Sequence, residues 1–295
     1  MRFKPKDVEQ LRADLPVDLA AINPLSTPGY VGKVGGKRLR RRFHKFDEEL
    51  RTLQEQLFAH ARISASTDDS ASRGRGTNRA GAILLILQGM DTSGKGGMIR
   101  NALSVFDPQG LKPISFGAPN AEELSHDFLW RIRKHTPRPG EIVVFDRSHY
   151  EDVLIQRVES MATPEEIERR YVAIVDFESE LAAQGVTIIK VMLHISPDFQ
   201  KKNLLRRLRR VDKRWKFDPS DIENRSKWDD YQRAYEIAID RTDSDHAPWY
   251  IVPSDNKLYA RTAVKFLLLR RLRAMGLNWP DPGYDVAVQQ RRLSQ

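Results

Sequence analysis

One stretch restricts the fold of this 295-residue chain more than any other: the apolar run AILLIL at 82–87, which passes through Gln88 and Gly89 into the turn GMDTSGKGG. Six apolar residues fall far short of the roughly 20 that cross a bilayer. Ended by glycine, they fit a strand buried on both faces of a parallel sheet. Gly89, Gly94 and Lys95 satisfy G-x-x-x-x-G-K, the phosphate-cradling pattern. Glycines let backbone N–H groups converge on phosphate oxygens, the start of the following helix favours negative charge, and Lys95 adds a point charge. Ser93, Gly96 and Gly97 complete the expected cradle.

The strand signal recurs in EIVVFD (141–146), VTIIKVMLHIS (186–196) and WYIVPS (249–254), and more weakly in PISFGAP (113–119). Helical patterns lie between, at 97–105, 120–135, 164–184 and 257–275. Within HDFLWRIRKH (126–135), Phe128, Leu129 and Ile132 are expected in the core. Strands alternating with helices predict an α/β fold with a parallel sheet sandwiched by helices. Residues 1–42 lack periodicity and are expected as an extended arm, with 43–295 as one domain. That domain opens on FDEELRTLQEQLFAHAR, where Phe46, Leu50, Leu53 and Leu57 fall at helical spacing, and then a polar loop spans 64–79. A basic segment (198–212) and a polar helix (about 219–243) form an insertion, a helical lid over about 198–245 placed to close over the strand ends.

The phosphate loop departs from its usual form at Gly96, where a Ser or Thr would hold magnesium. A phosphoryl-transfer site still needs a cation, so other oxygen ligands are required. Asp91, inside the loop, and Asp146, ending the strand EIVVFD, are the candidates. Arg147, His149 and Glu151 crowd the same strand end and are candidate contacts to phosphate, nucleotide or metal. The competing structural reading is a capping box, with Ser148 as N-cap and Glu151 three residues later.

Net charge is +9, and nine basic residues against one acid lie within 201–216. So concentrated a cationic segment suggests an anionic partner. Leu204, Leu205, Leu208 and Val211 read as an apolar stripe by which its helix packs. A second basic run, KRLRRRFHK at 37–45, carries six Lys or Arg and no acid. Interleaved aromatics and nucleic-acid-binding signatures are missing, so nucleic acid is not expected as a partner. Trp215 and Trp228 are expected to pack rather than stack on a base, and His126, His194 and His246 to be structural. With no cysteine, disulfides, zinc–thiolate sites and cysteine nucleophiles are excluded. The first fifteen residues lack the apolar core of a signal peptide, so a cytoplasmic protein without membrane association is expected.

Taken in order, GMDTSGKGG, DPQG, SFGAPNAEELSHDFLWR, FDRSHYEDVLIQRV, WKFDPSDIENRSKWDDYQRAYEIAI and HAPWYIVPSDNK resemble the polyphosphate kinase 2 family over roughly 43–275. The resemblance implies a P-loop kinase-like core with a helical basic lid. It also implies magnesium-dependent (Mg2+, with Mn2+ as substitute), reversible transfer of phosphate between inorganic polyphosphate and AMP, ADP or ATP. By the same resemblance, Asp91 and Asp146 handle the metal, Lys95 and Arg147 bind the transferred phosphates, and Arg206 and Arg207 of the lid grip the chain. SHYED is similar to members that accept AMP, or both AMP and ADP, and Glu151 stands at a position associated with that choice. Many relatives carry Lys where this chain has Gly117. A homo-oligomer, dimer or tetramer, is also implied. Two other classes share the phosphate loop: an ATP-dependent kinase of a small metabolite or nucleotide, and a nucleic-acid-binding NTPase using 37–45 and 201–216 as its contact surface.

Overall fold

The computed structural model describes residues 3–30, 36–66 and 81–295. Two helices, α1 (Lys37–Lys45) and α2 (Asp47–Ser66), precede the sheet. Then follow β1 (Ala82–Gln88), α3 (Lys95–Ala102), β2 (Leu111–Ser115), α4 (Ala121–Leu124), α5 (Trp130–Arg133) and β3 (Ile142–Asp146). The next stretch holds α6 (Glu151–Val158), α7 (Pro164–Ala183), β4 (Val186–His194), α8 (Pro197–Arg209), α9 (Ser220–Ser226) and α10 (Trp228–Thr242). The chain closes with β5 (Trp249–Pro253), α11 (Lys257–Ala274) and α12 (Val286–Leu293).

Among the described residues five strands form one sheet, all parallel, in the order β2-β3-β1-β4-β5. From β1 the chain moves to one side for β2 and β3, then crosses back for β4 and β5. The reversal opens a crevice beyond the carboxyl end of β1, where open α/β sheets bind ligands. Alternation along the strands sends Leu84, Ile86, Val143 and Phe145 to one layer, with Tyr150, Ile174, Phe177 and Tyr235. Ile83, Leu85, Leu87, Ile142 and Val144 enter the opposite layer, with Met98, Leu50, Phe266 and Leu269. The sheet is thus sandwiched by helices, as expected. Among the described residues no helix is long and apolar enough to cross a membrane.

Four regions differ from expectation. The N-terminal stretch is not an extended arm: Pro5–Leu11 forms a 3-10 helix, and Phe3, Val8 and Leu11 are buried. Phe3 packs 5.3 Å from the ring of Tyr259 and 5.1 Å from that of Phe266, and α1 runs across the expected boundary at 42/43. Tight 3-10 turns present apolar side chains without α-helical spacing, which hid this contact. HDFLWRIRKH contains only one helical turn, because Asp127 Oδ1 accepts from Leu129 N at 3.0 Å and makes a side-chain turn. The expected lid narrows: the polar helix breaks at Lys227, and α10 joins the body by burying Tyr231, Ala234, Tyr235 and Ala238. What overhangs the crevice is α8, a 3-10 segment Val211–Lys216, and α9. The apolar stripe of α8 is mostly outward: Leu204 is buried, but Leu205 and Leu208 are 42% exposed, and Val211 and Trp215 about three-quarters exposed. The buried positions of α8 include Gln200 and Asn203, so its contact with the body is substantially polar. Most of the loop expected at 64–79 lies outside the described residues; α2 continues to Ser66.

Candidate active site

A cleft of about 570 Å³ lies at the carboxyl ends of the central strands, floored by the turn after β1 and roofed by α8 to α9. Gly89 has φ +143° and Gly94 φ +115°, conformations that side chains rarely adopt. A Cβ on Gly89 would stand 2.7 Å from Leu193 O. Gly89→Ala is therefore expected to destabilise the protein by about 2 kcal/mol or more, read as a lower urea midpoint at constant slope. Thr92 and Arg147 also have positive φ, at 64° and 65°. Non-glycine residues held there concentrate at functional sites, where surrounding contacts impose the conformation. The hydroxyls of Thr92 and Ser93 are buried without a hydrogen-bond partner among the described residues, and both residues line the cleft. Each hydroxyl can both donate and accept a hydrogen bond.

Lys95 opens α3 and is buried, its ammonium donating to the Gly89 carbonyl. Burial, and next Arg147, lower its pKa; Asp91 and Asp146 act in the opposite sense. Arg147 Nη2 donates to Asp91 Oδ1 at 2.9 Å, and Asn224 of α9 donates to Asp91 Oδ2 at 3.3 Å. Burial alone would raise the Asp91 carboxyl, but Lys95 and Arg147 outweigh it and hold the group below its usual range. Asp91 thus ties the loop, the end of β3 and the lid together. Its main-chain oxygen also accepts from Gln200 (3.3 Å), and Thr92 O accepts from Asn203 (3.3 Å).

Asp146, paired in register with Leu87 and Ser115, lines the same cleft, and among the described residues no side chain pairs with its carboxylate. A Cβ on Gly96 would lie 3.5 Å from Asp146 Oδ2, so the missing loop hydroxyl leaves room beside this carboxylate. Magnesium is commonly held by one or two carboxylates plus substrate phosphates and water. Asp146 fits that arrangement directly. Asp91 adds negative charge nearby, although both of its oxygens are already engaged. No group of three or more His, Cys, Asp or Glu that could hold a metal alone occurs among the described residues.

Glu151 is not among the residues that line the cleft. It is half-buried at the start of α6 near Arg147 and Lys95, and burial raises its pKa against the pull of Arg147. With its amide turned to satisfy its neighbours, Gln88 donates to Glu151 Oε1 at 3.0 Å. The expected capping box does not form: Tyr150 is the N-cap of α6 with no side-chain cap bond, and the Ser148 hydroxyl instead accepts from Tyr150 N at 3.2 Å in the turn before it. Beneath this segment lies a buried polar network. Lys190 Nζ, fully buried, donates to Glu178 Oε2 (2.6 Å), Thr242 O (2.7 Å) and Tyr150 Oη (3.0 Å). Tyr150 Oη donates to Glu178 Oε1 at 2.9 Å, and His149 Nε2 lies 3.4 Å from the same oxygen. Burial lowers the His149 pKa, against the pull of Glu178. His149 is thereby structural, and the network clamps the segment that carries Arg147 and Glu151.

Arg206 and Arg207 both line the cleft. Arg207 is held by Asp221 (3.3 Å), whereas Arg206 has no acidic partner among the described residues. Sequence reasoning missed Arg100, Arg210, Lys213, Lys216, Lys257 and Arg261, which line it too. Arg210, Lys213 and Lys216 belonged to the basic run already noted, whereas Arg100, Lys257 and Arg261 sit on α3 and α11 with no local signal. Among the described residues, ten Lys or Arg and four Asp line this cleft. A Cβ on Gly117 would meet nothing within 4 Å, so the cleft is open at that position.

A family model described as Polyphosphate kinase 2 (PPK2) matches residues 69–278. An AMP/ADP-polyphosphate phosphotransferase of Meiothermus ruber is 44% identical over 200 residues, 68% of this chain and 75% of that protein. An ADP-polyphosphate phosphotransferase of Rhodopseudomonas palustris is 42% identical over 212 residues, 68% of this chain and 73% of that protein. The crystal structure of Polyphosphate Kinase 2 from Arthrobacter aurescens TC1 superposes with TM-score 0.89 at 45% identity, over 99% of this chain and 96% of that one.

Proposed function

The chain belongs to the polyphosphate kinase 2 family, and from that premise we propose that it transfers the terminal phosphoryl group of inorganic polyphosphate to AMP, to ADP, or to both. One observation carries the reading: a phosphate loop whose cleft faces ten cations against four carboxylates. A mononucleotide needs only a few of these charges, whereas a polymeric phosphate engages many. An oxygen of the acceptor's terminal phosphate attacks the end phosphorus of the chain. The new P–O–P link forms as the old one breaks, and the shortened polyphosphate leaves with the bonding electron pair. One phosphoanhydride replaces another, so the reaction runs both ways.

Such a reaction asks the protein for alignment and positive charge rather than covalent chemistry. The backbone of 89–97, with the Thr92 and Ser93 hydroxyls, cradles one set of phosphates. Lys95 and Arg147 face the transferred group, and Asp91 holds Arg147 in place while latching the lid through Asn224. Asp146, with Asp91 nearby, is the proposed holder of magnesium, which when bound neutralises phosphate charge. Glu151, which does not line the cleft, acts on acceptor choice through the charge of Arg147. The deciding experiment offers AMP and ADP separately with magnesium and long-chain polyphosphate. Product from AMP alone, ADP alone or both assigns the acceptor. Failure of both, with ATP phosphorylating another acceptor, would replace this reading by an ordinary kinase.

A pH dependence follows from Lys257, whose pKa is lowered to about 8 by burial, then by Arg206 and Arg261. It is charged below that value and neutral above it. kcat/KM for polyphosphate is therefore expected to fall as pH rises through about 8, and Lys257→Arg is expected to move that alkaline limb upward. An unchanged limb in the variant would remove Lys257 as its cause.

A further inference from the structure

The basic helix α1 remains unexplained by the cleft. Of its nine residues, Lys37, Arg38, Arg40, Arg41, Arg42 and Lys45 are cationic and none is acidic; all but half-buried Arg42 are exposed. None of the six forms an ion pair among the described residues. Of the three carboxylates that open α2, Asp47 is taken by Lys265 and His44 and Glu49 by Arg273, leaving Glu48 alone against six cations. Local preferences oppose this helix. Lys37 and Arg41, Arg38 and Arg42, and Arg41 and Lys45 repel at four-residue spacing, the first turn has no acid, and Gly36 provides no side-chain cap. Only Leu39 and Phe43 are buried, docked against α11. Positive charge retained against local stability points to a ligand.

Position supplies the second observation. Lys265 of α11 donates to Phe43 O at 3.4 Å and lies 3.8 Å over the Phe43 ring. Arg261, which lines the cleft and stands 3.5 Å from where a Cβ of Gly97 would be, precedes Lys265 by four residues. The two share one face of α11, about 6 Å apart along its axis. The end of α1 is therefore anchored one helical turn from the cleft wall. We propose that α1 is a second polyphosphate-binding surface, holding the distal part of a long chain whose terminal phosphates occupy the cleft. The proposal rests on the polyphosphate reading above. A bare phosphate polymer needs only cations, whereas single-stranded nucleic acid also draws on stacking aromatics, and the one aromatic of α1 apart from His44, Phe43, is buried.

The test is a variant carrying Arg38→Gln, Arg40→Gln, Arg41→Gln and Arg42→Gln, which leaves Leu39 and Phe43 in place. Its KM for long-chain polyphosphate is expected to rise on the order of ten-fold, with a shallower salt dependence. Its kcat, and its KM for tripolyphosphate, which is too short to reach α1, are expected to stay as in the parent. Tripolyphosphate turnover also certifies the fold, and Arg41→Gln alone is expected to act in the same direction by a smaller factor. An unchanged KM for long chains, or an equal rise for both lengths, would overturn the proposal. So would RNA of matched charge binding the parent more tightly than polyphosphate does, with that preference lost in the variant. If the parent transfers no phosphate from either length, the function proposed above fails separately. Direct titration of parent and variant with long-chain polyphosphate then decides the role of α1: equal affinities overturn it and a weakened variant supports it.

Discussion

Replacing Lys95 by alanine is expected to lower kcat for phosphoryl transfer by about 10³-fold or more, the order seen when one charge-stabilising donor is removed from a closed site. Melting temperature is expected to change little. The ammonium is buried with the Gly89 carbonyl as its hydrogen-bond partner, and burial already disfavours its charged form, so its loss removes as much strain as support. The charge is worth most when phosphate oxygens surround it. Asp146→Asn is expected to act as strongly at low magnesium, with part of the rate returning as magnesium is raised, because the neutral amide weakens the proposed metal site and leaves Lys95 intact. Near-normal kcat in either variant, measured with saturating polyphosphate and nucleotide, would remove that residue from the mechanism.

Lys190→Met is expected to produce a large loss of stability. Glu178 accepts from Lys190, Tyr150 and the His149 side, all inside the core; burial pushes its pKa up, but Lys190 and His149 together outweigh that and hold the carboxyl below its usual range. Removing the ammonium leaves a buried, uncompensated carboxylate, which costs about 3–5 kcal/mol. For a chain of this size that corresponds to a fall in Tm on the order of 10 °C. The double change Lys190→Met with Glu178→Leu is expected to recover much of the loss, since burying no charge is often no worse than burying a pair. Calorimetry of the two single variants and the double closes the cycle. A single variant as stable as the parent would show that the pair is not ionic. Because the network clamps the turn carrying Arg147, the single variants are also expected to lower kcat more than they raise KM for polyphosphate.

The parts of this protein legible from residues alone are those in which structure and chemistry are written within one short span. Strand β1, its glycine turn and the start of α3 follow one another without interruption from 82 to 102, so apolar continuity and glycine spacing sufficed to locate the phosphate loop. Asp146 and Arg147 were legible for the same reason, since they close a short apolar strand. The parallel sheet followed from runs too uniformly apolar to have a wet face.

What only the tertiary structure decided is which faces meet. Periodicity marks α10 as amphipathic without saying that its apolar side belongs to the body, and marks leucines on α8 that in fact face outward. Glu151 sits close to Asp146 in sequence yet does not line the cleft. Arg100, Lys257 and Arg261 lie far from one another or from the loop and yet line the cleft with it. Local sequence can specify a backbone turn, because the turn's conformation is set by its own residues. An electrostatic cleft is a sum over side chains from several elements, and that sum exists only once the sheet has brought their ends together.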